Sequence, residues 1–122
     1  MKDPCTMKAL SLHQPWASLI ATGKKTIETR RYQTKYRGPV LICSTKAPKF
    51  AAHLCGYALA VAEIVECRPM TFADQEASCC KVYPWAWAWI LKCVQPIKPF
   101  QILGRRRLFD LYLPEGYTEI TL

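Results

Sequence analysis

The chain has 122 residues, of which 17 are Lys or Arg and 9 are Asp or Glu, for a formal net charge of +8. Hydrophobic residues make up 51% of the sequence, which excludes a disordered chain and predicts one globular domain over residues 1–122. No apolar run approaches the roughly 18 residues that cross a membrane, and the N-terminal MKDPCTMKAL lacks the apolar segment of a secretory signal. The charge favours nucleic acid over a membrane as partner, since no basic amphipathic helix is apparent.

The seven cysteines are odd in number, and their spacings fit no metal-binding knuckle. Several lie in apolar runs, such as Cys43 in VLICS and Cys93 in ILKCV, where a free thiol behaves as a small hydrophobic side chain. We therefore expect a reducing, cytoplasmic setting, without a metal or another cofactor. The adjacent Cys79 and Cys80 leave a metal or redox role open, although neighbouring cysteines rarely converge on one ion.

The N-terminal third predicts a strand, a short helix and a second strand. Residues 7–13 (MKALSLH) alternate as a strand does, and Pro15 suits the first turn of a helix of about two turns that Gly23 ends. Three residues would form the buried stripe of this helix: Trp16, Leu19 and Ile20. The following TIETRRY predicts a strand with one charged face.

The middle of the chain predicts buried strands joined by polar segments. VLICST is typical of a buried strand, residues 47–54 predict a short helix, and residues 56–67 predict a long strand whose small residues suggest close packing or barrel curvature. Residues 68–80 form a polar excursion in which Thr71 would cap a helix.

Large and small residues alternate in residues 85–89 (WAWAW), which predicts a strand that continues into ILKCV and is broken at Pro96 and Pro99. Its tryptophans favour a core strand, with a nucleic-acid platform as the alternative. A final strand covers residues 108–113. About six strands and two or three short helices predict an α+β, mainly β fold, a small barrel rather than a βαβ sheet.

The segment GKKTIETR contains the densest group of charged residues that could bind a ligand or take part in catalysis. Glu28 and Arg30 lie two apart in a strand and so share a face, with Lys25 at the preceding corner. Arg30 could bind a phosphate or base edge through two hydrogen bonds, Lys25 could bind phosphate, and Glu28 could accept from an exocyclic amine or act as a general base. On spacing alone, a solvated face in which Glu28 bridges Lys25 or Arg30 is the simpler interpretation.

This segment and its flanks resemble the ASCH domain, a family named for homology to activating signal cointegrator 1. The family motif, Gly-x-Lys-x-x-(acidic or hydroxyl)-x-Arg, is matched by Gly23, Lys25, Glu28 and Arg30. The preceding SLHQPWASLI resembles the family's first strand and helix, and WILKCVQPIKPFQILGRRRLFDLYL resembles its last two strands. The resemblance implies a PUA-like β-barrel that binds RNA, a nucleotide or a nucleoside in a cleft beside the first helix.

In such a cleft, Gln14 could read a base edge and Trp16 could stack on a base, although Trp16 could equally anchor the helix in the core. Arg105 and Arg107 precede the last strand and could extend a phosphate-binding rim, or simply form a solubilising turn. We expect a monomer with no membrane partner. The predicted ligand-binding residues are Gln14, Trp16, Lys25, Glu28, Arg30, Arg105 and Arg107.

A hydrolase is the alternative function that the resemblance implies. Some short relatives are amidohydrolases that act on N4-acetylcytidine, and others are linked to ribonuclease activity. In the amidohydrolases a lysine, a hydroxyl residue and a downstream glutamate are proposed to act together. Lys25 matches the lysine, but Glu28 replaces the hydroxyl residue, so Lys25 and Glu28 would be catalytic only if Glu28 activated water. Four residues are candidates for the downstream acid: Glu63, Glu66, Asp74 and Glu76.

Overall fold

One six-stranded sheet organises residues 6–115, the part of the chain that the computed structural model describes. The elements are β1 (Thr6–Leu12), α1 (Trp16–Ala21), β2 (Ile27–Arg30), β3 (Gly38–Ser44), β4 (Tyr57–Pro69), α2 (Gln75–Ser78), β5 (Trp87–Gln101) and β6 (Phe109–Tyr112), with a 3-10 turn at Phe72–Asp74. The strand order is β2-β5-β4-β3-β1-β6, and the sheet curls into a half-barrel. The predicted mainly β fold is confirmed. Of the seven cysteines, Cys5 lies outside the described part, as does the start of the N-terminal segment considered above as a secretory signal.

The central strands β1 and β3 are parallel, with Leu10 opposite Ile42. Each of the other neighbouring pairs is antiparallel. Because parallel strands end at the same edge of a sheet, His13 and Thr45, which follow β1 and β3, come together, and the Thr45 N–H donates to the carbonyl of Leu12 at 2.9 Å. The carboxyl ends of β1 and β3 lie on the side of α1 and β2, and they form the base of the site described below.

Both faces of the central strands are buried. Alternate residues of β1 and β3 pack against α1, whose Ala17 and Ile20 are fully buried, and the others form a second cluster with Phe109 of β6. This two-sided burial explains the continuous apolar run VLIC in β3. Cys43 belongs to the second cluster, and its burial raises the pKa of its thiol to about 12.

The predicted helix at residues 47–54 is wrong. The segment forms bends and a turn closed by a hydrogen bond from the His53 N–H to the carbonyl of Phe50 at 3.2 Å. Residues 46–54 are all exposed, so a helix here would have no apolar face to bury, and short helices depend on such packing for stability.

The prediction that Pro96 and Pro99 interrupt the long strand is also wrong, since β5 continues to Gln101. Beyond Ile90, β5 no longer pairs with β2 and has β4 as its remaining partner. The register between β4 and β5 also shifts opposite this part of β5. Proline lacks an N–H but is tolerated at such an edge, where one side of the strand needs no donor.

The tryptophans of WAWAW do not form a single platform. Trp89 is fully buried in the core, where its indole N–H donates to the carbonyl of Tyr32 at 3.2 Å. Trp87 is half-buried, and Trp85 precedes β5 with 83% of its surface exposed. The prediction of a core strand therefore holds for Trp89, whereas Trp85 lies outside the strand.

The excursion after β4 is anchored by one carboxylate. Asp74 accepts hydrogen bonds from two nitrogens of the Arg68 guanidinium, at 2.7 and 2.8 Å, and from the N–H of Thr71 at 2.8 Å. Thr71 thus begins the 3-10 turn as predicted, although the capping group is the side chain of Asp74. Within residues 6–115 no helix has the length and apolar character to span a membrane.

Candidate functional site

Lys25 is a buried lysine that links three parts of the chain. Gly23, with a φ of 85°, lets the backbone leave α1, and the Lys25 N–H then returns to the carbonyl of Leu19 at 3.0 Å. The Lys25 side chain is 4% exposed. Its Nζ donates to the carbonyls of Ser78 at 2.6 Å and Ile27 at 2.8 Å and lies 3.3 Å from Glu28 Oε1. Three acceptors match the three donors of an ammonium group.

Glu28 lies between two cations. Its Oε1 contacts Lys25, and its Oε2 accepts a hydrogen bond from Arg30 Nε at 2.8 Å. Glu28 therefore bridges Lys25 and Arg30, as the simpler interpretation expected, but its side chain is 9% exposed, so the solvated face of that interpretation is wrong. The strand is covered at this point by the end of α2, where the Thr26 N–H donates to the carbonyl of Ala77 at 2.9 Å.

Arg30 connects β2 to β1. Its Nη2 donates to the carbonyl of Ser11 at 3.0 Å, and its Nη1 lies 3.5 Å from the hydroxyl of Tyr32. Burial disfavours the charged guanidinium, but the neighbouring Glu28 and Tyr32 outweigh this effect, so the pKa of Arg30 lies above its ordinary value. Arg30 is therefore a permanent cation at the wall of the cleft.

A cleft of about 400 Å³ lies against this network. The base of the cleft comes from the end of β1, one wall from β2, and the other wall from the segment that follows α2. We call it the inner cleft. Its lining residues are Ser11, Leu12, His13, Trp16, Lys25, Glu28, Thr29, Arg30, Thr45, Ser78, Cys79, Cys80 and Tyr83.

A second hollow of about 550 Å³ shares residues with the inner cleft. The shared side of both is formed by Ser11, His13, Arg30 and Thr45. We call this second hollow the arginine groove, because the rest of it comes from Tyr32 and the exposed run Arg105, Arg106 and Arg107. The guanidinium of Arg107 lies 4.1 Å from the centre of the Tyr32 ring.

The family model of the ASCH domain matches residues 10–101. The chain belongs to the ASCH domain family. The family is generally linked to RNA binding. The matched residues include Gly23 to Arg30, so the buried network described above lies within the ASCH domain.

Known relatives and structures agree with this assignment. A stretch of 36 residues, 30% of this chain, is 50% identical to Activating signal cointegrator 1 of Mus musculus and of Homo sapiens, and it spans 6% of each. The crystal structure of ASCH from Zymomonas mobilis superimposes with a TM-score of 0.65 at 17% identity, covering 88% of this chain and 87% of that one. A point-mutant form of the same bacterial protein gives a TM-score of 0.61 at 17% identity, covering 88% and 90%. These structures share the fold of this ASCH domain.

The structure brings together most, but not all, of the residues predicted for the site. Lys25, Glu28 and Arg30 line the inner cleft together with Trp16, which is 41% exposed and is therefore not a core anchor. Of the other residues predicted for the buried stripe of α1, Ile20 is confirmed and Leu19 is only partly buried, while Ala17 is the second buried residue. Two further predicted residues lie along the arginine groove, which adjoins the inner cleft: Arg105 and Arg107.

Gln14 is the exception, because its amide is turned into the protein. The side chain is buried, its Oε1 accepts from the Ser18 N–H at 3.0 Å, and its Nε2 donates to the carbonyl of Leu54 at 2.7 Å and to Ser18 Oγ at 2.8 Å. Gln14 is not among the residues that line either hollow. The prediction that it reads a base edge is replaced by a structural role, in which it anchors the start of α1 to the loop before β4.

Sequence reasoning missed several cleft residues. Ser11 and His13 lie two apart at the end of β1 and so share a face, a signal that the sequence did contain. His13 Nδ1 lies 2.7 Å from Thr45 Oγ1, which follows from the parallel pairing of β1 with β3. The segment Ser78–Tyr83 gave no periodic signal. Within residues 6–115 no group of three His, Cys, Asp or Glu side chains could hold a metal ion.

The candidate downstream acids of a hydrolase lie elsewhere. Glu63, Glu66, Asp74 and Glu76 are all absent from the lining of the inner cleft. Asp74 is engaged by Arg68 as described above. The carboxylate that does line the inner cleft is that of Glu28.

Proposed function

We propose that this ASCH domain binds RNA, with a base in the inner cleft and the adjoining phosphates along the arginine groove. The observation that carries the proposal is the continuity of the two hollows, which share Ser11, His13, Arg30 and Thr45. The inner cleft combines aromatic and polar side chains around an ion network in which Glu28 pairs with Lys25 and Arg30, and the arginine groove is lined by further cations. A nucleotide has the same two parts, a flat polar base and an anionic phosphate.

The arginine groove suits the phosphates. Arg105 and Arg106 are exposed and take part in no ion pair within residues 6–115. Guanidinium groups bind phosphate oxygens through paired hydrogen bonds. The net charge of +8 adds a long-range attraction for polyanions.

The inner cleft suits a base. Trp16 and Tyr83 supply aromatic rings at its wall, and stacking on such rings is the usual way that proteins hold unpaired bases. Glu28 supplies acceptor oxygens for an exocyclic amine. Because each donor of Lys25 already has an acceptor, we assign Lys25 the role of holding Glu28 in place rather than binding phosphate.

The test is the salt dependence of the affinity for a fluorescently labelled single-stranded RNA. If about three phosphates contact the groove, log affinity should fall against log salt with a slope near −2, and the Arg105→Ala/Arg107→Ala variant should reduce the slope by about 1.4. Lys92→Ala is the matched control, because Lys92 is an exposed cation on β5 that lines neither hollow. A slope unchanged by the double substitution would remove the arginine groove from the proposal.

A hydrolase of N4-acetylcytidine-type nucleosides or of RNA is the second candidate. The observation that favours it is the Glu28 carboxylate at the wall of the inner cleft, where it could activate a water molecule. The hydrolase is the weaker candidate because none of the four downstream acids lines the inner cleft and because the donors of Lys25 are occupied. The cytoplasmic setting expected from the cysteine content remains part of both proposals.

A further inference from the structure

The turn before β5 holds a tryptophan at a position where the backbone favours glycine. The Ala86 N–H donates to the carbonyl of Tyr83 at 3.2 Å, and Pro84 and Trp85 form the two central residues of this turn. Trp85 has a φ of 67°. Proline followed by a residue of positive φ is the arrangement of a type II turn, in which the second central position is normally glycine or asparagine.

The side chain of Trp85 makes little packing contact that would offset this unfavourable backbone conformation. It is 83% exposed, so the indole is displayed to solvent rather than packed in the core. A bulky residue at positive φ is a genuine outlier, and outliers of this kind cluster at functional sites. With so little of its surface buried, the indole offers the fold little packing to offset this backbone conformation, which points to a role outside the fold.

A second aromatic side chain is displayed from the neighbouring segment. The Met70 N–H donates to the carbonyl of Ala86 at 2.9 Å, which places the start of the polar excursion alongside the Trp85 turn. Phe72, two residues further on, is 77% exposed. The two exposed rings therefore come from adjacent segments at one end of the sheet.

This surface is continuous with the inner cleft through Tyr83. The Tyr83 ring lines the cleft, and the guanidinium of Arg31 lies 5.8 Å from its centre. Arg31 and Lys81 are both exposed cations next to the turn. Aromatic rings interleaved with cations are typical of surfaces that bind single-stranded nucleic acid without a strong sequence preference.

We propose that Trp85 is a stacking subsite for a nucleotide next to the one in the inner cleft, so that the preferred ligand is single-stranded RNA of several nucleotides. This inference rests on the function proposed above. A duplex could not use the subsite, because its base faces are already stacked on one another. A free mononucleotide could fill the inner cleft without contacting Trp85, which does not line it.

The experiment compares two lengths of RNA in binding to the full chain and to Trp85→Gly. Glycine adopts a positive φ without steric strain, so the variant should unfold at the same temperature as the wild type or a higher one. Its affinity for a single-stranded RNA of about eight nucleotides should fall roughly tenfold or more, the loss expected for one stacked base, and its affinity for a mononucleotide should not change. Tyr112→Ala is the matched control, because Tyr112 is a 72% exposed aromatic residue on β6 that lines neither the inner cleft nor the arginine groove.

The outcomes separate this inference from the proposed function. If Arg105→Ala/Arg107→Ala weakens binding of the longer RNA while Trp85→Gly does not, the subsite is overturned and the cleft proposal stands. If Trp85→Gly weakens the mononucleotide as much as the longer RNA, Trp85 belongs to the cleft and the separate subsite is likewise overturned. A folded Trp85→Gly variant that loses a protein partner but binds every RNA as the wild type does would assign the surface to protein instead.

Discussion

Glu28 and Arg30 form an ion pair of 2.8 Å between Oε2 and Nε, and the opposite oxygen of Glu28 faces the buried Lys25 at 3.3 Å. One carboxylate is therefore the shared counter-ion of two cations at the wall of the inner cleft. Removing one charge of a buried pair leaves the other uncompensated, which typically costs about 3–5 kcal/mol. We expect Glu28→Gln to lower the free energy of unfolding by an amount in this range, measured by urea denaturation.

The control for Glu28→Gln is Glu63→Gln, which removes the same charge from an exposed position on β4. Exposed charges contribute about 1 kcal/mol or less, so the control should be nearly as stable as the wild type. Equal stability of the two variants would contradict the interpretation of Glu28 as the counter-ion of this network.

Asp74 makes the stability of the domain sensitive to acid. Hydrogen bonds from Arg68 and Thr71 hold the pKa of Asp74 well below its ordinary value of 3.8. A carboxyl whose pKa is lower in the folded state contributes stability that is complete above the unfolded value and is lost as the pH falls towards the folded one. Asp74→Asn should therefore cost about 1–2 kcal/mol at pH 7, as a lost helix cap does, and should flatten the loss of stability below about pH 4.

The matched control for Asp74→Asn is Asp110→Asn, because Asp110 pairs with Lys8 at 3.1 Å while its own side chain is 61% exposed. Thermal unfolding of both variants between pH 7 and about pH 2 measures the difference. The assignment fails if the two substitutions change the acid dependence equally.

The effects on stability of substituting Ser11 and Gly104 should depend on each other, because the two residues are in close contact. The Oγ of Ser11 is buried without a hydrogen-bond partner in the described part of the chain, and a Cβ on Gly104 would lie 2.9 Å from it. Gly104→Ala should thus be destabilising. Ser11→Ala should be neutral or stabilising, because it removes a buried unsatisfied hydroxyl.

In the Ser11→Ala background the Gly104→Ala clash disappears, since the remaining contact is 3.7 Å to the Cβ of residue 11. A double-mutant cycle should give a favourable coupling of about 1 kcal/mol, visible as a melting temperature several degrees above that expected from additivity. Additive effects would show that the loop carrying Gly104 does not rest on Ser11.

The sequence predicted the strands well where local pattern and packing agreed. VLIC lies in a strand because both of its faces are buried, and Gly23 ends α1 through its positive φ. The helix expected at residues 47–54 failed because helical pattern without a buried face is not enough. The strand break expected at Pro96 and Pro99 was wrong because a proline interrupts a strand only where its missing N–H is needed for pairing. Which segments of β5 have a partner on both sides is set by the topology and not by the local sequence.

In the site, too, local spacing predicted some features, whereas contacts with distant residues determined the others. The i, i+2 spacing of Glu28 and Arg30 correctly placed both on one face, but their burial depends on α2, which is distant in sequence. Gln14 was misplaced because its partner, the carbonyl of Leu54, lies 40 residues away. The contributions of Ser78 and Tyr83 to the cleft come from an irregular segment, for which periodicity gives no information.

Lys25 provides the last prediction, which separates a positioning role from a catalytic one. Its Nζ joins β2 to the end of α2 through the carbonyl of Ser78 at 2.6 Å, so Lys25→Met should release the segment Ser78–Tyr83 and weaken RNA binding by loss of a cleft wall. Hydrogen exchange in that segment should accelerate, whereas Lys24→Met, which alters the exposed neighbouring lysine, should leave both exchange and affinity unchanged. Because every donor of Lys25 is occupied, we also expect the wild-type protein to bind RNA without cleaving it and without deacylating N4-acetylcytidine. Turnover of either substrate by the wild type would contradict this expectation and favour the hydrolase. Turnover that is lost in Lys25→Met while hydrogen exchange in the segment Ser78–Tyr83 stays as slow as in the wild type would contradict the positioning role of Lys25.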